Sequence, residues 1–467
     1  MLKNSDEATS LGTIVSLCKR RGFVFPSSEI YGGFGAIYDF GPYGVEVEQN
    51  IKRKWWRDMV QLRDDVVGLD SSIFMNPRIW EASGHVAGFS DPLVECKICN
   101  NRARVDHLLN NINISADEKM SEEEIGNIFQ ENLPEIKCPN CGGKNFSEVK
   151  KFNLLVKSNL GNFSGDTEKS PVYLRGETCQ GIYVNYKNVL ASSRVKIPFG
   201  IAQIGKAFRN EITARQFLFR TREFEQMEMQ YFTNPSSDME EYEKLRQMRW
   251  DFYLSLGLRE ENLQWHKHEK LVFYAKEAYD IEYRYPFGFS ELEGVHARGN
   301  YDLSRHTEYS GVNLNYIDPE TQEKFIPHVV ECSVSLGRII LALLCDAYSE
   351  ESTENGVRTV LKLSNQMAPV KIAVFALVRN QPELVEISRV LYKRLQQRYL
   401  CEYDDSGNIG KRYRRQDEIG TPFCVTVDHD TILDQTVTVR YRDTMQQKRI
   451  CIDQLNSFFE DEFDLKC

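Results

Sequence analysis

The chain has 467 residues, of which 41% are hydrophobic and 27% charged, with a net charge of −10. That length suits two or three globular domains, and the composition is that of a folded soluble protein rather than a fibrous or disordered one. No apolar run nears the roughly 20 residues of a membrane span, the start MLKNSDEATSLG does not read as a signal peptide, and the acidic balance argues against a nonspecific nucleic-acid coat while leaving room for a local basic groove.

Glycine-rich IYGGFGAIYDFGPYG (30–44) reads as strand–turn–strand. Val47, Ile51, Trp55 and Met59 then recur every four residues, which predicts an amphipathic helix over 46–60. Residues 91–150 differ in texture and read as an insertion. Ser121 followed by Glu124 is a capping box that opens a short helix there. The same block holds Cys96-Lys-Ile-Cys99 and Cys138-Pro-Asn-Cys141-Gly-Gly. Two such pairs have the ligand spacing of a tetrahedral four-cysteine site, structural Zn²⁺ rather than catalytic, because four thiolates leave no open position. The alternative is four free thiols on loops. The remaining eight of the 12 cysteines are scattered, which suits a reducing cytosol better than a disulfide scaffold.

Residues 151–345 alternate strand-like runs and turns and close on the apolar helix RIILALLCDAY. After the linker LKLSNQMA and Pro369, five short strands and the helix ELVEISRVLYKRLQQR predict a separate α/β unit of about 100 residues. KRYRR (411–415) reads as a basic loop between strands. Either it is a solvated charge run, or it tracks RNA phosphates with Tyr413 free to stack on an unpaired base. The expected organisation is 1–90 and 151–365 as one unit, 91–150 as an insertion in it, and 366–467 as a C-terminal domain. His85, His107, His266 and His268 form no catalytic triad pattern and read as core or surface residues.

The stretch FRNEITARQFLFRTREFEQMEMQYF (208–232) carries charges of both signs beside aromatics. Taking 208–212 and 222–231 as two strands puts Arg209 and Glu211 on one face. On the second strand Phe224, Gln226, Glu228 and Gln230 share a face, while Met227, Met229 and Tyr231 point into a core. Arginines for phosphate or carboxylate, a ring for a base and glutamates for an amine describe a pocket for a nucleotide plus a zwitterion. In VVECSVSLGRIILALL (329–344), Arg338 opens an apolar helix. A cation there opposes the helix dipole, unless it meets an anion or stacks on a base.

The spacing Arg209, Glu211, Arg220, Phe224, Glu228 resembles motif 2 of the class II aminoacyl-tRNA synthetases, and 329–344 resembles motif 3. The 46–60 helix with Pro77 after it resembles motif 1, which in that class builds a dimer interface. YGGFGAIYDFGPYG, LRGETCQGIYVNY, FGFSELEGVHARGNYDLSRH and GKRYRRQDEIGTPFCVTVD narrow the resemblance to the glycyl-tRNA synthetase family of dimeric type, over nearly the whole chain.

The resemblance implies an α+β fold: an antiparallel class II sheet flanked by helices, a zinc-type insertion and a C-terminal α/β anticodon-binding domain. It implies ATP-dependent attachment of glycine to tRNA(Gly) through glycyl-adenylate, with ATP, Mg²⁺ and structural Zn²⁺, in a cytoplasmic homodimer. Arg209, Glu211, Arg220 and Arg338 would carry catalysis, Arg209 at the α-phosphate, Arg220 at the γ-phosphate and Phe224 under adenine. The ATP site would comprise Arg209, Asn210, Glu211, Phe219, Arg220, Thr221, Arg222, Glu223, Phe224, Glu291, Leu292, Ser335, Leu336, Gly337 and Arg338. The glycine site would comprise Arg104, Glu177, Phe224, Glu225, Gln226, Met227, Glu228, Arg298, Glu331 and Ser333. The chain departs from the family pattern at Gly176, Cys179, Cys332 and Ser335, and keeps the charged anchors. A carboxylate cage also makes sense for glycine, which has no side chain to grip. Its ammonium must be held, and no room left beyond Cα, since a pocket discriminates a methylene by only about 1–3 kcal/mol. Arg104 and Arg298 are expected beside the carboxylates as counter-charges. Two alternatives stand against this reading: a synthetase-like binding protein without catalysis, and a synthetase for another small amino acid.

Overall fold

The computed structural model describes residues 10–114, 120–160, 171–212, 216–268, 275–354 and 356–463. Seven strands form the main sheet: β1 (Val66–Gly68), β2 (Phe199–Phe208), β3 (Glu223–Thr233), β4 (Leu263–Lys267), β5 (Glu277–Tyr285), β6 (Gly288–Gly299) and β7 (His328–Ser335). Their order is β4-β5-β6-β7-β3-β2-β1, antiparallel except for the β1–β2 pair.

The register gives the sheet two unlike faces. Met227 and Met229 of β3, Val330, Cys332 and Val334 of β7, and Val295 of β6 are buried in one apolar cluster. That cluster also takes in residues of the helices Pro42–Trp56, Asp238–Leu256 and Leu336–Ala347. Successive strand residues point to opposite faces, so the residues between them line the other side. There Gln226, Glu228 and Gln230 stand opposite Ser335, Ser333 and Glu331. Gly294 and His296 continue the row opposite Ser333 and Glu331. The apolar alternation of β3 is therefore as the sequence predicts.

The strand expected over 208–212 is not found. The ladder to β3 runs along 199–208 and stops at Phe208, paired with Glu223. Arg209, Asn210 and Glu211 turn off the sheet, where the Asn210 N–H donates to Leu154 O at 2.8 Å. Strand character was hidden in FGIAQIGKAF by Lys206 and two glycines, while the polar RNEI that follows reads like a strand without joining the ladder. Residues 213–215 of the intervening loop lie outside the described residues.

The helix expected over 46–60 begins at Pro42, which occupies its first turn, and continues beyond Trp56 as a wider turn over Arg57–Gln61. Val47, Ile51, Trp55 and Met59 are each no more than 1% exposed. In the glycine-rich start only the second strand, Tyr38–Phe40, falls where expected; its partner is Val24–Pro26.

Between residues 90 and 153, strands Ser90–Glu95, Arg102–Arg104 and Lys150–Asn153 form a small sheet. It has its own apolar cluster including Val94, Leu109, Ile125 and Phe129. Helix Glu122–Glu131 opens on the capping box of Ser121 and Glu124.

The C-terminal sheet orders Cys401–Tyr403, Ile372–Ala376, Phe423–Val427, Thr436–Tyr441 and Gln447–Cys451. The first three are parallel and the last two antiparallel. Helix Pro382–Gln396 packs on it. KRYRR is not a loop: it lies in helix Ile409–Ile419, whose first turn is capped by the Asn408 side chain accepting from the Lys411 N–H. Tyr413 is not free to stack on a base. Its hydroxyl is 2.7 Å from Thr426 Oγ1, its ring packs on Phe375, and Arg440 covers it.

Candidate active site

The polar face of the main sheet collects three carboxylates from three segments. Glu228 projects from the middle of β3, Glu331 from β7, and Glu177 from the turn before helix Cys179–Ser193. Ser333 Oγ donates to Glu228 Oε1 and Thr178 Oγ1 to Glu228 Oε2, each at 2.6 Å. Gln226 Nε2 adds a third bond at 3.0 Å, and its own Oε1 is buried with no partner among the described residues. Glu331 takes a bond of 3.1 Å from Arg298 and one of 2.9 Å from Gln230 Nε2. Glu177, partly open to solvent, lies 3.2 Å from His85 Nε2 and accepts from Gln180 Nε2 at 2.9 Å.

These neighbours split the three acids. Burial raises Glu228 first of all, and the charges of Glu331 and Glu177 add to it, lifting its carboxyl to about 8. Burial also acts on Glu331, but Arg298 and His296 overcome it and bring the carboxyl down to about 2. Partial desolvation opposes the charge of Glu177 too, but His85 and Arg298 hold its carboxyl well below the usual range. The pocket therefore holds two carboxylates and one carboxylic acid near neutral pH, not three like charges.

Counter-charge comes from Arg298 as expected, but not from Arg104. The Arg104 guanidinium pairs with Asp91 and with both oxygens of Asp106. It lines a cleft between the insertion and the segment 216–220, together with His107, Phe219 and Arg220. The ring nitrogens beside Glu177 and Glu331 belong instead to His85 and His296. Reading from the sequence missed both. The three-residue string His296-Ala-Arg298 after Val295 held the one available signal, since residues two apart on a strand share a face.

Two more expected glycine contacts face the wrong way. Glu225 and Met227 alternate with Gln226 and Glu228, so they point through the sheet. Glu225 pairs with Lys52 at 3.0 Å, and Met227 is fully buried in the core. Leu292 and Leu336 of the expected ATP set are also core side chains, 0% and 1% exposed, which leaves only their backbone to face a ligand.

The rest of the expected nucleotide set gathers beside the carboxylates. Arg209 donates to Gly176 O at 3.0 Å, and its guanidinium lies between the rings of Phe89 and Phe224 at 5.2 and 5.3 Å. Arginine, not open space, thus covers Phe224. Arg338, in the first turn of helix Leu336–Ala347, covers Phe219 at 4.5 Å and pairs with Glu291 at 2.9 Å. That stack and ion pair satisfy a cation at the unfavourable end of its helix. Arg222 donates to Glu211 O and lies over Phe34, which ties the expected loop to the glycine-rich hairpin. Glu223 pairs with Lys206 at 3.0 Å, and Thr221 Oγ1 donates to Glu223 O. The carboxylate of Glu211 is buried with Oε2 unpartnered among the described residues, an acceptor held ready for an amine or a cation. Gly337 is required sterically: a Cβ there would come within 2.9 Å of Leu218 O, so the close approach of the 216–220 segment to the helix depends on it.

The four cysteines converge. Cys96 Sγ is 3.7 Å from Cys141 Sγ, and Cys99 Sγ is 3.7 Å from Cys138 Sγ. A tetrahedron of 2.3 Å metal–sulfur bonds has edges of about 3.8 Å, so the donors fit Zn²⁺. Each pair turns on a residue with positive φ, Asn100 after Cys99 and Gly142 after Cys141.

Residues 162–347 match the tRNA synthetase class II core domain (G, H, P, S and T), and residues 371–462 match the anticodon binding domain. Over 465 residues the chain is 51% identical to the glycine–tRNA ligase of Treponema denticola, covering 98% of each. It is 52% identical to that of Streptomyces coelicolor over 97% of this chain and 98% of the relative. Identity to that of Borreliella burgdorferi is 51%, over 96% of each.

Proposed function

Since the chain belongs to the glycine–tRNA ligase family, we propose that it charges tRNA(Gly) in two steps on the polar face of its main sheet. The glycine carboxylate attacks the α-phosphorus of ATP, giving glycyl-adenylate and pyrophosphate. The terminal ribose hydroxyl of the tRNA then attacks the adenylate carbonyl and releases AMP. No side chain need act as a nucleophile. The protein orients the reactants and stabilises developing charge.

The observation that carries this reading is the meeting of Glu177, Glu228 and Glu331 around Arg298. In it, an ammonium replaces the proton on Glu228. Arg209, beside Gly176 and Phe224, is assigned to the carboxylate and α-phosphate. Glu211 offers its free oxygen to the adenine amine, and Phe219 with Arg338 forms the stacking surface at the pocket's far side. Arg220 makes no ion pair with any described residue and faces the cleft shared with Arg104. Both are assigned to the departing phosphates, which moves Arg104 from the amino acid to the nucleotide. Mg²⁺ bound with ATP supplies charge neutralisation for the phosphates.

Zn²⁺ on Cys96, Cys99, Cys138 and Cys141 holds the insertion together. The C-terminal unit binds the anticodon arm, with exposed Lys411 on helix Ile409–Ile419 available to phosphates. The Pro42–Trp56 helix belongs to a homodimer interface, and the enzyme works in the cytoplasm. Among the described residues no helix is long and apolar enough to cross a membrane. The deciding experiment is ATP–pyrophosphate exchange with each amino acid in turn: exchange with glycine alone is expected. Equal exchange with alanine or serine, or none with any amino acid, overturns the reading.

A further inference from the structure

His296 stands on β6 directly opposite Glu331 of β7, and its ring is held from two sides. Nδ1 is 3.4 Å from Glu331 Oε1, and Nε2 is 3.3 Å from Asp280 Oδ1. Asp280, on β5, also meets His268 Nε2 at 2.8 Å through its other oxygen. A neutral imidazole has one protonated nitrogen. With a carboxylate oxygen at each nitrogen, only the doubly protonated ring presents a donor to both.

The sheet is built to allow this reach. Asp280 is opposite Gly294, two residues before His296 and so on the same face. A Cβ on Gly294 would lie 2.8 Å from His296 Cε1 and 3.0 Å from Nε2. The missing side chain is what lets the ring lean across to Asp280. Arg298, two residues on, reaches the same Glu331 oxygen at 3.1 Å.

We propose that His296 is a positioning residue for the amino-acid site: as an imidazolium braced by Asp280, it keeps Glu331 ionised and aimed at the substrate ammonium. This rests on the assignment of Glu331 to the glycine pocket above. Arg298 does not make it redundant, because that guanidinium is shared with both oxygens of Asp302. The groups that face His296 among the described residues are Asp280 from β5, His268 from the end of β4, Glu331 from β7 and Arg298 along its own strand. Burial lowers the imidazole's basicity, and hydrogen bonds to Asp280 and Glu331 outweigh that, raising its pKa to about 9. The brace is therefore present at neutral pH and lost above about 9.

The test is ATP–pyrophosphate exchange as a function of glycine concentration and pH for wild type, His296→Gln, Asp280→Asn and Glu331→Gln. Taking each variant's KM for glycine as a ratio to wild type cancels the titration of glycine's own amine. At about pH 7.5 the His296→Gln ratio is expected to be about tenfold, with KM for ATP unchanged, as for loss of one charged hydrogen bond. The ratio should fall toward one above about pH 9.5, where wild type loses the same charge. Asp280→Asn should move that convergence to lower pH, which decides the matter even where His296→Gln folds poorly. A ratio for His296→Gln that is near one at pH 7.5, or constant with pH, overturns the proposal while Glu331→Gln still raises KM for glycine. An unchanged KM in Glu331→Gln overturns the pocket assignment itself.

Discussion

Ser333 stands opposite Glu228 across β7 and β3, and its hydroxyl donates to the carboxyl at 2.6 Å. With Thr178 on the other oxygen, Glu228 is fixed in place while burial and two neighbouring acids keep its proton on up to about pH 8. A rigid, protonated acid in an ammonium site is a proton to be exchanged for substrate. Glycine binding at about pH 7 should therefore release protons. Calorimetry in buffers of different ionisation heat measures the number released, and Glu228→Gln should reduce it to zero. The same shift has a stability sign. Between the ordinary carboxylate range and about 8, the folded state holds a proton that the unfolded chain has lost. Stability of the glycine-free protein contributed by this group therefore falls as pH rises through that window. No proton release at pH 7 would show Glu228 to be ionised already.

Glu177→Gln keeps the shape of the side chain and removes its charge. The pocket then loses one charge-assisted contact to the ammonium, worth about 1.5–3 kcal/mol. KM for glycine should rise accordingly, with KM for ATP nearly unchanged. A collapse of ATP binding with glycine unaffected would place Glu177 on the nucleotide side.

Arg209 is braced by Gly176 O and two aromatic rings before any ligand arrives. A preorganised donor of this kind contributes about 2.7–4 kcal/mol at a developing charge. Arg209→Ala should lower exchange by about 10²–10³ with an unaltered melting temperature. Exchange within tenfold of wild type would remove it from the reaction.

Below the sheet, Arg249 makes a bidentate pair with Glu293 at 2.7 and 2.9 Å, both side chains no more than 1% exposed. Arg249→Leu leaves that carboxylate buried and unpaired. A loss of about 3–5 kcal/mol in unfolding free energy is expected, read by denaturant titration. Arg249→Leu with Glu293→Leu should recover much of it, since an apolar pair is often neutral there.

Elemental analysis of protein purified without chelator should find one zinc per chain. Cys138→Ser should lose it, and protease should then cut between residues 90 and 153, because the small apolar cluster there includes Cys96 and Cys138 themselves. A metal-free protein with an intact, protease-resistant insertion would refute the zinc site.

Local signals were legible wherever one segment carries its own physics. The four-residue spacing of Val47, Ile51, Trp55 and Met59 marks a helix face, the Ser121/Glu124 pair marks a helix start, and the alternation of β3 separates its core methionines from Gln226 and Glu228. Each needs only the chain's periodicity. KRYRR misled because charge density says nothing about whether a helix face is covered, and Arg412, 1% exposed, is covered. The strand expected at 208–212 failed because a ladder needs a partner, and the partner's register ends at Phe208.

The sequence alone thus determined which segments carry the chemistry and which way the residues of β3 alternate, because both follow from neighbours along the chain. Only the tertiary structure decided which of those residues meet. It turned Glu225 and Met227 away from the pocket, paired Arg104 with Asp91 and Asp106, and brought His296, 35 residues before Glu331 in the chain, to within 3.4 Å of it. It also decided protonation. Glu228 and Glu331 are the same residue type on adjacent strands, yet one is raised to about 8 and the other lowered to about 2. The reason is that a carboxyl's charge depends on the burial and counter-charges around it, and those come from segments that only folding makes adjacent.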